Sequence, residues 1–264
     1  MQKNKFYRRF SPLTWDIRCL ALNPALISGN FPVSRRALKR SYPIRILRYW
    51  FIYHFLRVEL RQRQAPFNIC EVGIDVGQML RFMHSVAAVP GLTPMQWSSW
   101  TGVDCHLKQE ALENLGYTQL FQENIEQSSS WLSKDYDVVI LLHVLEHLNS
   151  PETAFAMIAP RMKPGSVLMG GVPSVPNFCA KIHERHIRAN PNTNGHASAF
   201  SPGRVKRIAL EHGMQLDFMV GAFLLRAGGF FLEDHAWWLW FNLAFGALFP
   251  AWPGEIYWVM RKPM

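Results

Sequence analysis

The chain gathers carboxylates and glycines at one place, Glu71-Val72-Gly73-Ile74-Asp75-Val76-Gly77. Glycine reaches backbone conformations closed to other residues and lets a ligand approach where a Cβ would collide, so Gly73 and Gly77 suit a tight turn beneath a bound molecule. Glu71, just ahead of the turn, can accept hydrogen bonds from a ligand hydroxyl or amine. Further along, Trp100-Thr101-Gly102-Val103-Asp104 ends in another carboxylate, and an acidic residue closing the second strand of a nucleotide-binding unit is placed to meet ribose hydroxyls. These residue types at this spacing cradle a nucleotide-like molecule. Histidines supply the other chemistry. His143, His147, His183, His186 and His196 are candidates for a base working near neutral pH. The block His143-Val144-Leu145-Glu146-His147 also invites a metal reading, but it sets imidazole where magnesium prefers oxygen, and no metal is expected.

The elements that must position these residues follow from hydrophobic pattern. Asn68 to Val72 reads as a short buried strand, and Gln78 to Met83 opens a helix whose free N–H groups face whatever lies over the turn. Tyr136 to Leu142 is a continuous apolar run, as expected of a central parallel strand buried on both faces. Helices are predicted over Leu107–Leu115, over Pro151–Met162 with proline in the first turn, and from the cap Ser201-Pro202 to His212. Further strands are predicted at Tyr117–Phe121, Ser166–Val172, Met214–Leu225 and Glu255–Arg261. Residues 173–200 read as an irregular, polar substrate loop beyond the carboxyl ends of the strands. Strand–helix alternation from Phe67 onward implies an α/β, Rossmann-like, seven-stranded, mostly parallel sheet with helices on both faces.

The 264 residues suit one sizeable domain with appendages, and 49% apolar with 18% charged residues exclude a disordered chain. The net charge of +9 is unevenly placed. Residues 1–65 hold 14 Lys/Arg against Asp16 and Glu59, giving +12, whereas the remainder sums to −3. Residues 1–65 are therefore read as a basic N-terminal extension and 66–264 as the main domain. Within the extension, Ile44 to Arg63 has helical apolar spacing, with Arg45, Arg48, Arg57, Arg61 and Arg63 around it. It reads either as a helix packed on the domain with a solvated basic face, or as a segment attracted to an anionic membrane surface. Nucleic acid is not the expected partner. Residues 226–254 form an aromatic-rich insertion before the last strand. Within it, the uncharged stretch 236–254 is broken by Asn242, Gly246, Pro250 and Pro253, which points to burial or shallow insertion in a membrane surface instead of a spanning helix. Four scattered cysteines and no visible secretory signal suggest reduced thiols and a cytoplasmic protein, with peripheral membrane contact open.

Taken together, the Glu71–Gly77 turn, Asp104, the run from Tyr136 through His143-Val144-Leu145-Glu146-His147-Leu148, and Arg161-Met162-Lys163-Pro164-Gly165 resemble class I S-adenosylmethionine-dependent methyltransferases. The nearest group is the one with this histidine-flanked block after the fourth strand, which includes ubiquinone-methyltransferase-like and bacterial surface-glycan methyltransferase-like proteins. The resemblance spans about residues 66–262. It implies S-adenosyl-L-methionine as cofactor, with Glu71, Gly73 and Gly77 under its methionine part, Asp104 on the ribose, Asn124 and Ile125 beside the adenine, and His143 near the sulfonium. Asp75 stands where the family has glycine; aspartate tolerates a positive φ better than most residues. Gly195-His196-Ala197-Ser198-Ala199-Phe200-Ser201 is similar to the family element at the pocket mouth, which makes His196 the favoured base and His143 the second catalytic candidate.

The fold does not name the acceptor. The basic arm, the tryptophan-rich insertion and His183-Glu184-Arg185-His186-Ile187-Arg188 fit a glycan or lipid-linked sugar at a membrane surface. A soluble hydroxylated small molecule is the alternative acceptor. A non-catalytic binding module on a degenerate fold, suggested by Asp75, is the alternative of another class.

Overall fold

The computed structural model describes residues 12–22, 44–63, 65–92, 94–133, 135–190, 195–224, 232, 235–252 and 254–264. Seven strands form one sheet: β1 (Phe67–Val72), β2 (Trp97–Asp104), β3 (Gln119–Gln122), β4 (Val138–Leu142), β5 (Val167–Ser174), β6 (Gln215–Gly221) and β7 (Gly254–Arg261). Their order is β3-β2-β1-β4-β5-β7-β6, and β7 runs antiparallel to both of its neighbours. The other pairs are parallel. The helices are α1 (Ile44–Arg63), α2 (Gln78–Ala87), the single-turn α3 (Gln109–Leu112), α4 (Pro151–Arg161), α5 (Ala180–Ala189), α6 (Pro202–Glu211) and α7 (Ala236–Leu248). The expected α/β sheet, with helices on both faces, is what the chain adopts.

Side chains alternate across each strand, so two cores form, one on each face. On one face Ile69, Trp100, Ile140 and Tyr257 meet α1, α2 and α7; on the other Val72, Val139, Leu168 and Trp258 meet α4 and α6. Every residue of β4 is buried, as its unbroken apolar run predicts. Helix starts follow local chemistry. Gly77, in the left-handed region at φ 73°, leads into α2, and the Ser201 hydroxyl accepts from the Arg204 N–H at the start of α6.

Two expectations change. First, residues 1–65 were set apart as an extension, but α1 shares the core of the sheet: Trp50, Phe51, Tyr53, Phe55 and Leu56 are fully buried, and Phe51 stacks on Tyr257 of β7 at 4.1 Å. Of the two readings of this helix, packing on the domain is the one adopted, with its aromatic run turned into the core. Its basic face is partly consumed inside the fold. Arg48 turns toward the buried Glu255, and Arg63 pairs with Asp137. Residues 1–11 and 23–43 of the basic arm lie outside the described residues.

Second, the supposed irregular loop 173–200 contains α5, ten residues long; its pattern hides because almost none of it is buried. The stretch from residue 236, read as not spanning a membrane, is helical for 13 residues with Asn242 and Gly246 inside it. Asn242 stays inside because its side-chain oxygen accepts from Leu224 N and its amide donates to the Trp238 carbonyl. Gly246 lies against the Gly221 backbone of β6, an approach a Cβ would block. Among the described residues, no helix is long and apolar enough to cross a membrane.

Candidate functional site

The strands β1, β2 and β4 end side by side, and a cavity of roughly 950 Å³ opens beyond their carboxyl ends. Its first end is the turn between β1 and α2. Gly73 sits at φ 76°, donates to the Val103 carbonyl at 2.8 Å, and has no room for a Cβ, which would run into Val144. Asp75 takes φ 48°, the left-handed conformation that aspartate tolerates. Its carboxylate is ion-paired with Lys108, so the replacement of glycine adds no unbalanced charge to the pocket. The Asp75 N–H donates to Asp104 Oδ2 at 3.0 Å, and the His106 N–H to Oδ1 at 2.9 Å. Asp104 is thus locked in orientation, with lone pairs left on both oxygens.

Glu71 lines the same end but is 4% exposed. Its Oε2 accepts from Trp100 Nε1 at 2.9 Å and from the Tyr117 hydroxyl at 3.2 Å. Burial outweighs these two donors and lifts its pKa to about 8. Asn124 and Ile125 follow β3; the Asn124 side-chain oxygen accepts from Glu126 N, which holds the turn, and Ile125 is buried beside the cavity.

The opposite end is assembled from distant segments. After β4, His143 adopts φ 57° while its N–H donates to the Gly171 carbonyl at 2.8 Å. This turns its ring inward: Nδ1 lies 3.0 Å from Glu146 Oε1, and Nε2 lies 3.6 Å from Glu255 Oε1. Burial and the nearby Arg48 disfavour a charged ring, yet the carboxylates of Glu255 and Glu146 prevail and raise the His143 pKa. Glu255 also accepts from the Tyr257 hydroxyl and faces Arg48 Nη2 at 3.7 Å. The two carboxylates thus favour the charged form of the His143 ring, whose positive φ and N–H bond fix the turn after β4.

His147 and His196 face each other at the mouth, ring centroids 5.1 Å apart and edge to face. The Gly195 carbonyl lies 2.9 Å from His147 Nδ1. A carbonyl only accepts, so Nδ1 carries the proton and Nε2 keeps its lone pair. The strap that carries His196 is tied down: Ala197 and Ser198 N–H both donate to the Glu146 carbonyl, at 2.7 and 3.0 Å, and the Ser198 hydroxyl donates to the Leu148 carbonyl at 2.9 Å. Ligand atoms of Glu146, His147 and His196 all lie within 4.8 Å of one another. That donor set suits an imidazole-preferring divalent ion better than magnesium. It differs from the trio suggested by sequence, with His196 in the place of His143.

The structure therefore brings Glu71, Gly73, Asp75, Asp104, Asn124, Ile125, His143 and His196 to one cavity, and sets Gly77 just behind it at the start of α2. His183 and His186 lie on α5 and are not among the lining residues. Sequence reasoning missed Arg48, Tyr49 and Gln78, whose Tyr49 hydroxyl to Gln78 bond (2.9 Å) ties α1 to α2 beside the turn, and Glu255, which backs His143. No local motif marks them.

The pocket fits S-adenosylmethionine by its donor chemistry. Asp104 can receive ribose hydroxyls, Glu71 can accept a hydrogen bond from an ammonium, Ile125 offers an apolar edge to adenine, and Arg48 offers a cation to a carboxylate. The methyltransferase-domain family profile matches residues 44–217. Among solved structures, the chain is similar to magnesium protoporphyrin IX methyltransferase from Synechocystis PCC 6803, with 14% identity, TM-score 0.52, and 90% of this chain and 91% of that chain covered. It is also similar to the plantazolicin methyltransferase BamL, with 16% identity, TM-score 0.53, and 83% and 85% of the two chains covered. No curated protein matches it in sequence. A family match that begins with α1 and runs past β5, joined to this strand order and this glycine turn, leads to one conclusion: the chain belongs to the methyltransferase-domain family and is a class I S-adenosylmethionine-dependent methyltransferase.

Proposed function

We propose that this methyltransferase O-methylates a glycan or lipid-linked sugar at the cytoplasmic face of a membrane, within the group that carries the His-Val-Leu-Glu-His-Leu block after β4. Bound cofactor supplies an activated methyl group on a sulfonium. The protein's part is to hold the acceptor in line and receive its proton, and alignment alone supplies much of the acceleration. Glu71, Gly73, Asp75, Gly77, Asp104, Asn124, Ile125 and His143 are assigned to the cofactor end.

The observation that carries the reading is the pair at the mouth. His147 Nε2 is left with a lone pair by the Gly195 carbonyl, and His196 stands edge-on beside it. A hydroxyl acceptor needs such a base. We assign proton removal to His196 with His147, and charge balance to His143 with Glu146 and Glu255. The sugar or lipid-linked acceptor is supported by the aromatic and basic side chains exposed on α7, on α5 and in the turn before it, among them Trp237, Arg185 and Phe178.

The test is transfer of isotope-labelled methyl from S-adenosylmethionine into fractionated cell extract. Label in the glycan or lipid-linked fraction, lost in His196→Ala but with S-adenosylhomocysteine binding kept, is the expected result. Label confined to small water-soluble compounds would make those the acceptors instead. Metal analysis of the purified enzyme tests the base assignment, because stoichiometric metal on Glu146, His147 and His196 would occupy the lone pairs it requires.

A further inference from the structure

Helix α5 meets the rest of the protein along one narrow stripe. Ile187 is buried, while Ala180 and Glu184 are half-buried. At 3.6 residues per turn these three fall on the same side. Glu184 pairs with Arg188 at 2.8 Å and with Arg204 at 3.6 Å, and Arg204 also binds Glu152. The opposite side carries Phe178, in the turn that leads in, together with Ile182 and Ala189. Phe178 is 83% and Ile182 69% exposed. Lys181, Arg185 and Arg188 flank this apolar line on one side, and His183 and His186 on the other, all exposed. A helix with only water outside it places polar residues there. This one sets an apolar centre between basic flanks.

Its position in the chain adds meaning. The helix follows β5, whose Pro173 lines the cavity, and precedes the strap bearing His196. Glu184 reaches Arg204 and, through it, Glu152, at the starts of α6 and α4, so α5 lies beyond the carboxyl ends of the strands, the end of the sheet that holds the cavity. We propose that α5 docks the mouth of the site onto an anionic lipid bilayer, with Phe178 and Ile182 entering the headgroup–acyl boundary and Lys181, Arg185 and Arg188 meeting lipid phosphates. The inference rests on the membrane-surface acceptor proposed above and names the surface that would present it. Charge complementarity selects the occupant. A nucleic acid or an acidic protein satisfies the cations but has no use for an apolar line between them, whereas a bilayer boundary uses both. The exposed face of α7 is the rival. Trp237, Phe241 and Leu248 project from it, but the helix itself contains no cation.

The experiment is co-sedimentation of the full chain with vesicles of phosphatidylcholine, alone or mixed with phosphatidylglycerol, with no acceptor or turnover involved. Binding about tenfold stronger to the anionic vesicles, and weakened by salt, is expected. The double variant Phe178→Ser/Ile182→Ser should lose about tenfold of it, and the triple variant Lys181→Glu/Arg185→Glu/Arg188→Glu should lose the preference for anionic lipid. Thermal stabilisation by S-adenosylhomocysteine, unchanged in both variants, verifies that the fold and cofactor end are intact. Equal binding to both vesicle types would overturn the proposal. So would wild-type binding by both variants, or binding lost in Trp237→Ser/Phe241→Ser but kept in the α5 variants, or binding to heparin without binding to vesicles. Vesicle binding with no label in lipid or glycan would instead retain the docking surface and remove the acceptor reading.

Discussion

The two ends of the cavity are built by different means. The cofactor end comes from one short run, 71–77, and the end of the neighbouring strand. It is held mainly through backbone groups: Gly73 N on Val103 O, Gly77 N on Ile74 O, and Asp75 N on the Asp104 carboxylate. The opposite end draws Arg48 from α1, His143 and Glu146 from the turn after β4, His196 from the strap, and Glu255 from β7. Buried side-chain charge holds it, except for the strap, which hangs on backbone hydrogen bonds. A local backbone shape is written in neighbouring residues, while a set of buried charges is assembled only by tertiary structure. The first end should therefore tolerate changes elsewhere in the chain, and the second should fail when one buried charge is removed.

The sharpest way to break this contrast is Glu255→Ala. It strips the carboxylate from Arg48 and His143, and removing one partner from a buried charge set costs about 3–5 kcal/mol. Urea denaturation reads the loss. A change under about 1 kcal/mol would mean that this end is not held by charge.

Glu71 puts charge to a different use at the cofactor end. Its folded pKa of about 8 lies above the ordinary carboxylate value of 4.5. Between those values the native state keeps a proton that the unfolded chain has lost. The contribution of Glu71 to cofactor-free stability should then be fully present below the ordinary value and be lost as pH rises toward 8, by about 1.4 kcal/mol for each pH unit between the two values. Glu71→Gln should flatten that slope, and a parallel slope in the variant would place its origin elsewhere.

Asp104→Ala removes the acceptor of two backbone N–H groups as well as the ribose contact proposed for it. S-adenosylhomocysteine affinity, measured by calorimetry, should drop about thirtyfold, or ~2 kcal/mol. The smallest effect belongs to Lys108→Ala. Its pair with Asp75 is half-exposed on both sides, so stability should shift by less than ~1 kcal/mol.

Legibility in the sequence followed the same division. The strands β1, β4 and β7, the glycine turn and Asp104 are encoded by neighbouring residues and could be read directly. The role of Arg48 could not, because an arginine in an aromatic helix looks like part of a solvated face until Glu255, more than two hundred positions away, is folded beneath it. His143 and His196 were both legible as histidines near the site. What separates them is a positive φ at His143 and a carboxylate behind it, and neither leaves a trace in residue spacing. Helix α5 was hidden for the opposite reason. Periodicity reveals helices that bury a stripe of apolar residues, and this one buries a single isoleucine.

The strap at residues 195–198 bears on how such an enzyme could change. Its anchors are the backbone of Glu146 and Leu148 and the ring of His147, all within the turn after β4. The strap and the turn after β4 therefore move as one piece, and a change that displaces residues 146–148 carries His196 with it instead of parting it from His147. A new position for His196 has to come through that turn, which ties the shape of this side of the cavity to the backbone that follows the central strand.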